Sequence, residues 1–120
     1  MITGLDHIQL AMPAGQEEAA RAFFGQTLGL AEIAKPAALA ARGGVWFALG
    51  ALQLHLGVDA DFRPARKAHP AFLVSDLDQL VVRCRAAQVN FEADEPPLDG
   101  RWRAHIFDPF GNRIELQQRL

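Results

Sequence analysis

The sequence predicts an α+β domain built from two copies of one βαβββ module, packed with pseudo-twofold symmetry. Three observations predict it. Short segments of alternating polarity recur between Gly- and Pro-containing breaks, which is the pattern of half-buried strands. One amphipathic helical segment falls at a matching place in each half. The halves also share a register: 62 residues separate His7 from His69, and 62 again separate Gln53 from Glu115. The same offset aligns Leu52 with Ile114 and Leu54 with Leu116. Two copies of so long a unit describe a duplication, not a solenoid.

The first module covers about residues 1–58. Residues 6–12 alternate, with His7, Gln9 and Ala11 on one face and Ile8, Leu10 and Met12 on the other. Pro13-Ala14-Gly15 breaks this strand. Residues 16–28 carry Ala19, Ala20, Phe23, Phe24 and Leu28 at helical spacing, with Glu17 and Glu18 near the start and Gly29 placed to end the helix. Residues 30–33 are a second strand, and the alanine-rich stretch 35–41 is a loop or a short helical turn. After Gly43-Gly44, residues 45–49 and 52–58 are strands joined by a turn at Gly50-Ala51, and Gln53 and His55 share one face of the last strand.

Residues 59–67, polar and containing Pro64, are the expected linker. The second module covers about residues 68–120. A strand is expected over residues 68–74, with Pro70 arguing for an edge position or an irregular start. Ser75 or Asp76 caps a helix that runs to Ala87 and buries Leu77, Leu80, Val81 and Cys84. Residues 94–100, with Pro96-Pro97, form a loop. Strands over 102–107 and 113–118 flank the turn Asp108-Pro109-Phe110-Gly111-Asn112.

Composition narrows the function. The chain has 120 residues, half of them hydrophobic and 22% charged, with a net charge of −2. That balance supports one core and lacks the basic footprint of a nucleic-acid binder. No apolar stretch approaches the ~20 residues of a membrane span, and the N-terminus lacks the pattern of a signal peptide. Cys84 is the single cysteine, so an intrachain disulfide is excluded. It reads as a buried structural thiol, and a cytoplasmic setting is expected.

Each half offers a His at the start of its first strand and a Gln or Glu on its last. Were the modules to pack pseudosymmetrically, His7, Gln53, His69 and Glu115 would converge. Two imidazoles with oxygen donors suit one divalent ion, namely Zn, Ni, Co, Mn or Fe. Open coordination positions would then face a substrate. Against this stands the plainer role of hydrogen-bonded pocket residues, and the neutral amide of Gln53 is the weakest donor of the four. His55 is an alternative ligand or a substrate contact. Arg103 and His105 share a strand face and are candidates for binding an anionic or enolate-like oxygen. Trp46, Phe47, Trp102 and Phe110 are expected in the core or a pocket wall, with Trp46 and Trp102 as substrate contacts. Phe23, Phe24 and Phe72 are expected in the core.

The segments Asp6-His7-Ile8-Gln9-Leu10, residues 69–78 and above all residues 107–116 (FDPFGNRIEL) resemble the vicinal oxygen chelate superfamily. That group includes glyoxalase I, bleomycin- and fosfomycin-resistance proteins, extradiol dioxygenases and methylmalonyl-CoA epimerase. The resemblance covers essentially the whole chain. It implies a glyoxalase-like, curved and partly open sheet around a pocket, with metal ligands at His7, Gln53, His69 and Glu115. A His-Gln-His-Glu set is similar to that of the epimerase branch, whereas glyoxalase I usually has Glu where Gln53 stands. Fosfomycin-resistance members contact substrate on the strand before the Asp-Pro turn, which supports Arg103 and His105 as pocket residues. The chain lacks the extra helical segments of several named enzymes.

The expected function is a metal-dependent lyase or isomerase, epimerase-like, acting on a small oxygenated substrate, with Glu115 as the catalytic base. One alternative is a metal-free, drug-sequestering binding protein. A third reading is an extradiol-type dioxygenase. The resemblance also implies a homodimer.

Overall fold

Each half of the duplicated pattern folds as its own four-stranded mixed sheet. In the computed structural model, residues 1–92 and 100–120 are described. The chain divides into two units, Met1–Arg63 and Pro64–Leu120, with the boundary inside the polar segment 59–67.

In the first unit the alternating segment His7–Met12 is β1, followed by helix α1 (Glu17–Ala20), β2 (Glu32–Ile33), a 3-10 segment (Ala37–Arg42), β3 (Val45–Leu49) and β4 (Leu52–Val58). The sheet order is β1-β4-β3-β2. β1 runs parallel to β4, and the other pairs are antiparallel. The second unit repeats this plan with β5 (Ala71–Leu73), α2 (Leu77–Ala86), β6 (Asn90–Phe91), β7 (Arg101–Phe107) and β8 (Arg113–Arg119) in the order β5-β8-β7-β6. Here β5 is parallel to β8.

The apolar faces build the cores. In the first unit Phe24, Phe47, Met12, Leu54 and Leu56 are fully buried. Phe24 meets Phe23 edge-on at 4.8 Å and Phe47 at 5.8 Å, which docks the helical segment on β3. In the second unit Phe72, Leu77, Cys84, Ile106, Ile114 and Leu116 are buried. Asp76 caps α2 through Gln79 N at 2.9 Å, and Leu77 N donates to Gln118 Oε1 on β8 at 2.7 Å. Burial raises the pKa of the Cys84 thiol, in keeping with a structural role.

Two turns fix the register of the site strands. Gly44 sits at φ +85°, and a Cβ there would lie 2.2 Å from Leu56 O, so the close approach of these two backbones requires glycine. At the other turn, Asp108 Oδ1 accepts from Phe110 N at 2.9 Å and from Asn112 N at 2.8 Å. Asn112 Nδ2 donates to Asp108 Oδ2 at 2.7 Å.

Several expectations are corrected. The helix expected over 16–28 is α-helical only through Ala20 and continues as a π-helical segment, Arg21–Thr27, in which Leu28 N donates to Phe23 O. The strand expected over 30–33 shrinks to Glu32–Ile33, and that over 68–74 to Ala71–Leu73. Pro70 supplies no N–H, so ladder pairing begins after it. His69 therefore precedes the strand instead of opening it. Leu80 and Val81 are only half-buried on α2. Trp102 is 41% exposed and so is not in the core. The loop expected over 94–100 lies, Gly100 aside, outside the described residues.

Candidate metal and substrate site

The parallel β1–β4 pairing sets His7 beside Gln53, whereas His69 reaches Glu115 from the segment just before β5. In the first unit His7 on β1 stands opposite Gln53 on β4. His7 Nδ1 lies 2.8 Å from Asp6 Oδ2, so the Nδ1–H donates to the carboxylate and orients the ring. His55, two residues beyond Gln53 and on the same face, donates from Nε2 to Gln53 Oε1 at 2.9 Å. Its ring is stacked on Trp46 at 3.6 Å with an interplanar angle of 3°, and on His7 at 4.2 Å. Burial, then the neighbouring His7 charge, pushes the His55 pKa down, so this imidazole is neutral at pH 7.

In the second unit Glu115 is the hub. It is 7% exposed, on β8 opposite His105 on β7. Arg103 Nη1 donates to its Oε1 at 3.3 Å, and Gln117 Nε2 to its Oε2 at 3.0 Å. His105 Nε2 stands 3.6 Å from Oε1, and His69 Nε2 stands 4.0 Å from Oε2. Burial alone would push the Glu115 carboxyl up. The Arg103 and Gln117 hydrogen bonds, with the His105 charge, outweigh it and hold the pKa below the usual carboxylate value. His69 donates from Nδ1 to Lys67 O at 2.9 Å, which orients its ring. Pro70 O accepts from Glu115 N at 3.0 Å, tying the segment after His69 to the Glu115 backbone. Behind His105, Glu92 Oε2 lies 3.8 Å from its Nδ1 and accepts from Arg113 Nη2 at 2.9 Å.

The residues expected from sequence thus fall into two groups. His7, Gln53, His55 and Trp46 form one cluster in the first unit; His69, Glu115, Arg103 and His105 form another in the second. Trp102 pairs with Gln118 across the β7–β8 ladder, away from Glu115's own partners. Arg103, expected to bind substrate, is engaged with Glu115. His105, expected as a substrate contact, joins His69 and Glu115 in a group whose ligand atoms all lie within 4.8 Å of one another. Asp6 and Gln117 are positioning residues that sequence reasoning did not single out. A signal for Gln117 existed, since it stands 62 residues after His55, and both side chains brace the donor two residues before them.

The donors fit a divalent ion. A ligating imidazole is characteristically oriented by an oxygen acceptor on its other nitrogen, and His7 and His69 both have this arrangement.

The family model of the Glyoxalase/Bleomycin resistance protein/Dioxygenase superfamily matches residues 4–116. The chain belongs to this superfamily. It is 42% identical to a protein from Bacillus anthracis assigned to the glyoxalase family, with a TM-score of 0.94, covering 100% of this chain and 98% of that one. The α+β, glyoxalase-like architecture is therefore secure. The fosfomycin resistance protein FosX from Listeria monocytogenes shares the fold at 20% identity and a TM-score of 0.80, over 100% of this chain and 96% of that one; a further FosX structure is a complex with Mn(II) and sulfate. A glyoxalase/dioxygenase from Nostoc punctiforme also shares it, at 24% identity and a TM-score of 0.78, over 98% of this chain and 91% of that one. No curated protein matches the chain. Among the described residues, no helix is long and apolar enough to cross a membrane.

Proposed function

We propose that this superfamily member is a divalent-metal-dependent lyase or isomerase acting on a small oxygenated substrate. The observation that carries the reading is shared by His7 and His69: each has Nδ1 tied to an oxygen, which orients the ring with Nε2 on its opposite edge. His69 and Glu115 are the ligand pair of the second unit, and His7 and Gln53 the pair that the sequence repeat adds. The Mn(II) complex of FosX supports a divalent ion on this fold. When bound, such an ion supplies Lewis-acid polarisation of substrate oxygens.

The chain's own residues do the remainder. Arg103 and Gln117 keep Glu115 ionised and fix both its oxygens. Glu115 is placed to accept a carbon-bound proton from substrate. Its lowered pKa makes it a weaker base than a catalytic carboxylate tuned toward neutrality, so ligation is the stronger of its two roles. His55 fixes the Gln53 amide with its carbonyl oxygen held.

Calorimetric titration of chelator-treated protein with Mn(II), Ni(II), Co(II), Zn(II) and Fe(II) tests the metal. Stoichiometric binding is expected, and His7→Ala and His69→Ala test the pair of each unit by itself, a tenfold or greater loss of affinity marking that unit's pair as ligating. Absence of stoichiometric binding would leave the metal-free, small-molecule-sequestering reading standing. Substituting Glu115→Gln tests the base: substrate proton exchange should vanish while the fold persists. A second reading, an extradiol-type dioxygenase, is favoured by one observation, the local two-His-one-carboxylate group of His69, His105 and Glu115. Oxygen uptake with Fe(II) and a catechol separates it from the first. The proposed assembly is a homodimer, measured by light scattering on a sizing column.

A further inference from the structure

We infer that the first unit carries a recess for a small oxyanion, the carboxylate or phosphate group of a ligand, formed by Lys35, Arg42, Gln9 and Trp46. On the polar face of this sheet, Gln9, His55 and Trp46 stand side by side across β1, β4 and β3. The next residue of β4 on that face is Gly57. A Cβ there would lie 2.5 Å from Gln9 Nε2, so Gln9 occupies the space that glycine leaves and lies across β4. Around it is a cavity of about 210 Å³, walled also by Leu39 and Val58. Drug-sized ligands take roughly 300 Å³ or more, so this volume suits a small group.

The charge is one-sided. Lys35 follows β2, and Arg42 ends the 3-10 segment. Gly43 and Gly44, at φ +74° and +85°, turn the chain into β3, and both cations line the same cavity. Lys35 Nζ donates to Gly43 O. Among the described residues neither cation is ion-paired with a carboxylate. The nearest acid to this turn, Glu17, accepts from Gly44 N at 3.4 Å. The lining therefore offers an ammonium, a guanidinium fork and the Gln9 amide, a surplus of donors that an acceptor-only oxyanion satisfies. Trp46 is the aromatic wall, and its ring also stacks on His55, which holds Gln53. An anion here is separated from the proposed ligand Gln53 by two stacked rings, Trp46 and His55. That the anion belongs to the substrate rests on the proposed function; that the recess binds an anion does not.

The test uses the full chain before any metal is added, with Trp102→Phe so that Trp46 is the one indole. Emission is followed during titration with inorganic phosphate and, separately, acetate, at ionic strength held constant with chloride. A saturable change with either anion is expected, phosphate alone marking a tetrahedral group and acetate alone a planar one. Lys35→Met and Arg42→Gln should each weaken the midpoint about tenfold, the worth of one charge-assisted hydrogen bond. Gly57→Ala, which drives Gln9 into the recess, should weaken it as well. A response no different from that of chloride, or midpoints unmoved in Lys35→Met and Arg42→Gln, overturns the inference. Failure of metal binding is read in its own titration and leaves this result intact.

Discussion

Replacing Asp108 with Ala and with Asn separates what its carboxylate does by geometry from what it does by charge. The side chain accepts three hydrogen bonds, two from Asn112, which is 7% exposed, and one from Phe110 N. Ala removes the acceptor from all three. Water can reach the half-buried Phe110 N but not the Asn112 donors. With ~1–3 kcal/mol for each buried donor that loses its partner, and some relaxation, Asp108→Ala should lower the unfolding free energy by about 2–4 kcal/mol. At roughly 4 °C per kcal/mol for a chain of this length, Tm should fall by about 8–16 °C. Asp108→Asn keeps an oxygen for the two backbone donors, and rotating the Asn112 amide end for end restores the third bond. It also removes a charge that burial disfavours, since burial raises the Asp108 pKa despite its donors. Its cost should be about 1 kcal/mol or less. Urea unfolding followed by circular dichroism measures both. Asp108→Ala within ~0.5 kcal/mol of the parent, or Asp108→Asn as damaging as Asp108→Ala, would refute the reasoning.

Three further outcomes follow from the geometry. Gly44→Ala, at positive φ and against Leu56 O, should destabilise the chain by ~3 kcal/mol or prevent its folding, seen as lost soluble yield. Glu115 has its folded pKa below the unfolded value of roughly 4.3, so its contribution is present above that pH and is lost as pH falls through the lower, folded value; Glu115→Gln should flatten the acid limb of stability, and an unchanged limb counts against the Arg103 and Gln117 interactions. Cys84, fully buried, should react with a thiol reagent only at the rate of unfolding, and stoichiometric labelling of native protein would contradict its placement.

The parts of this fold written in side-chain pattern were legible. β3 and β4 have the bounds their alternation indicates, and α2 starts at the Asp76 cap. The repeat offset found the neighbours His7 and Gln53, which pair across the β1–β4 ladder, but the β5–β8 ladder sets Ala71, not His69, opposite Glu115. What escaped depends on backbone hydrogen-bond register. The switch from α to π after Ala20 leaves helical spacing of Phe23 and Phe24 almost unchanged, so periodicity does not reveal it. β6 has two residues, too few for alternation to show. In the site, Arg103 and His105 were recognised as facing residues, but their dependence on Glu115 comes from the β7–β8 register, which sequence does not number. Trp102 misled because large aromatic residues are usually covered; it lies near the far end of the hairpin, where little packs over it.

In each unit the strand that begins the chain segment lies beside the strand that finishes it. His7 and Gln53 are 46 residues apart, as are His69 and Glu115. Neither pair can form from a fragment or from a hairpin alone, since the long loop must close first. A donor pair of this kind is a seal on completed folding. Any ligand that needs both members binds only chains whose last strand has docked, and holds that strand in place by mass action.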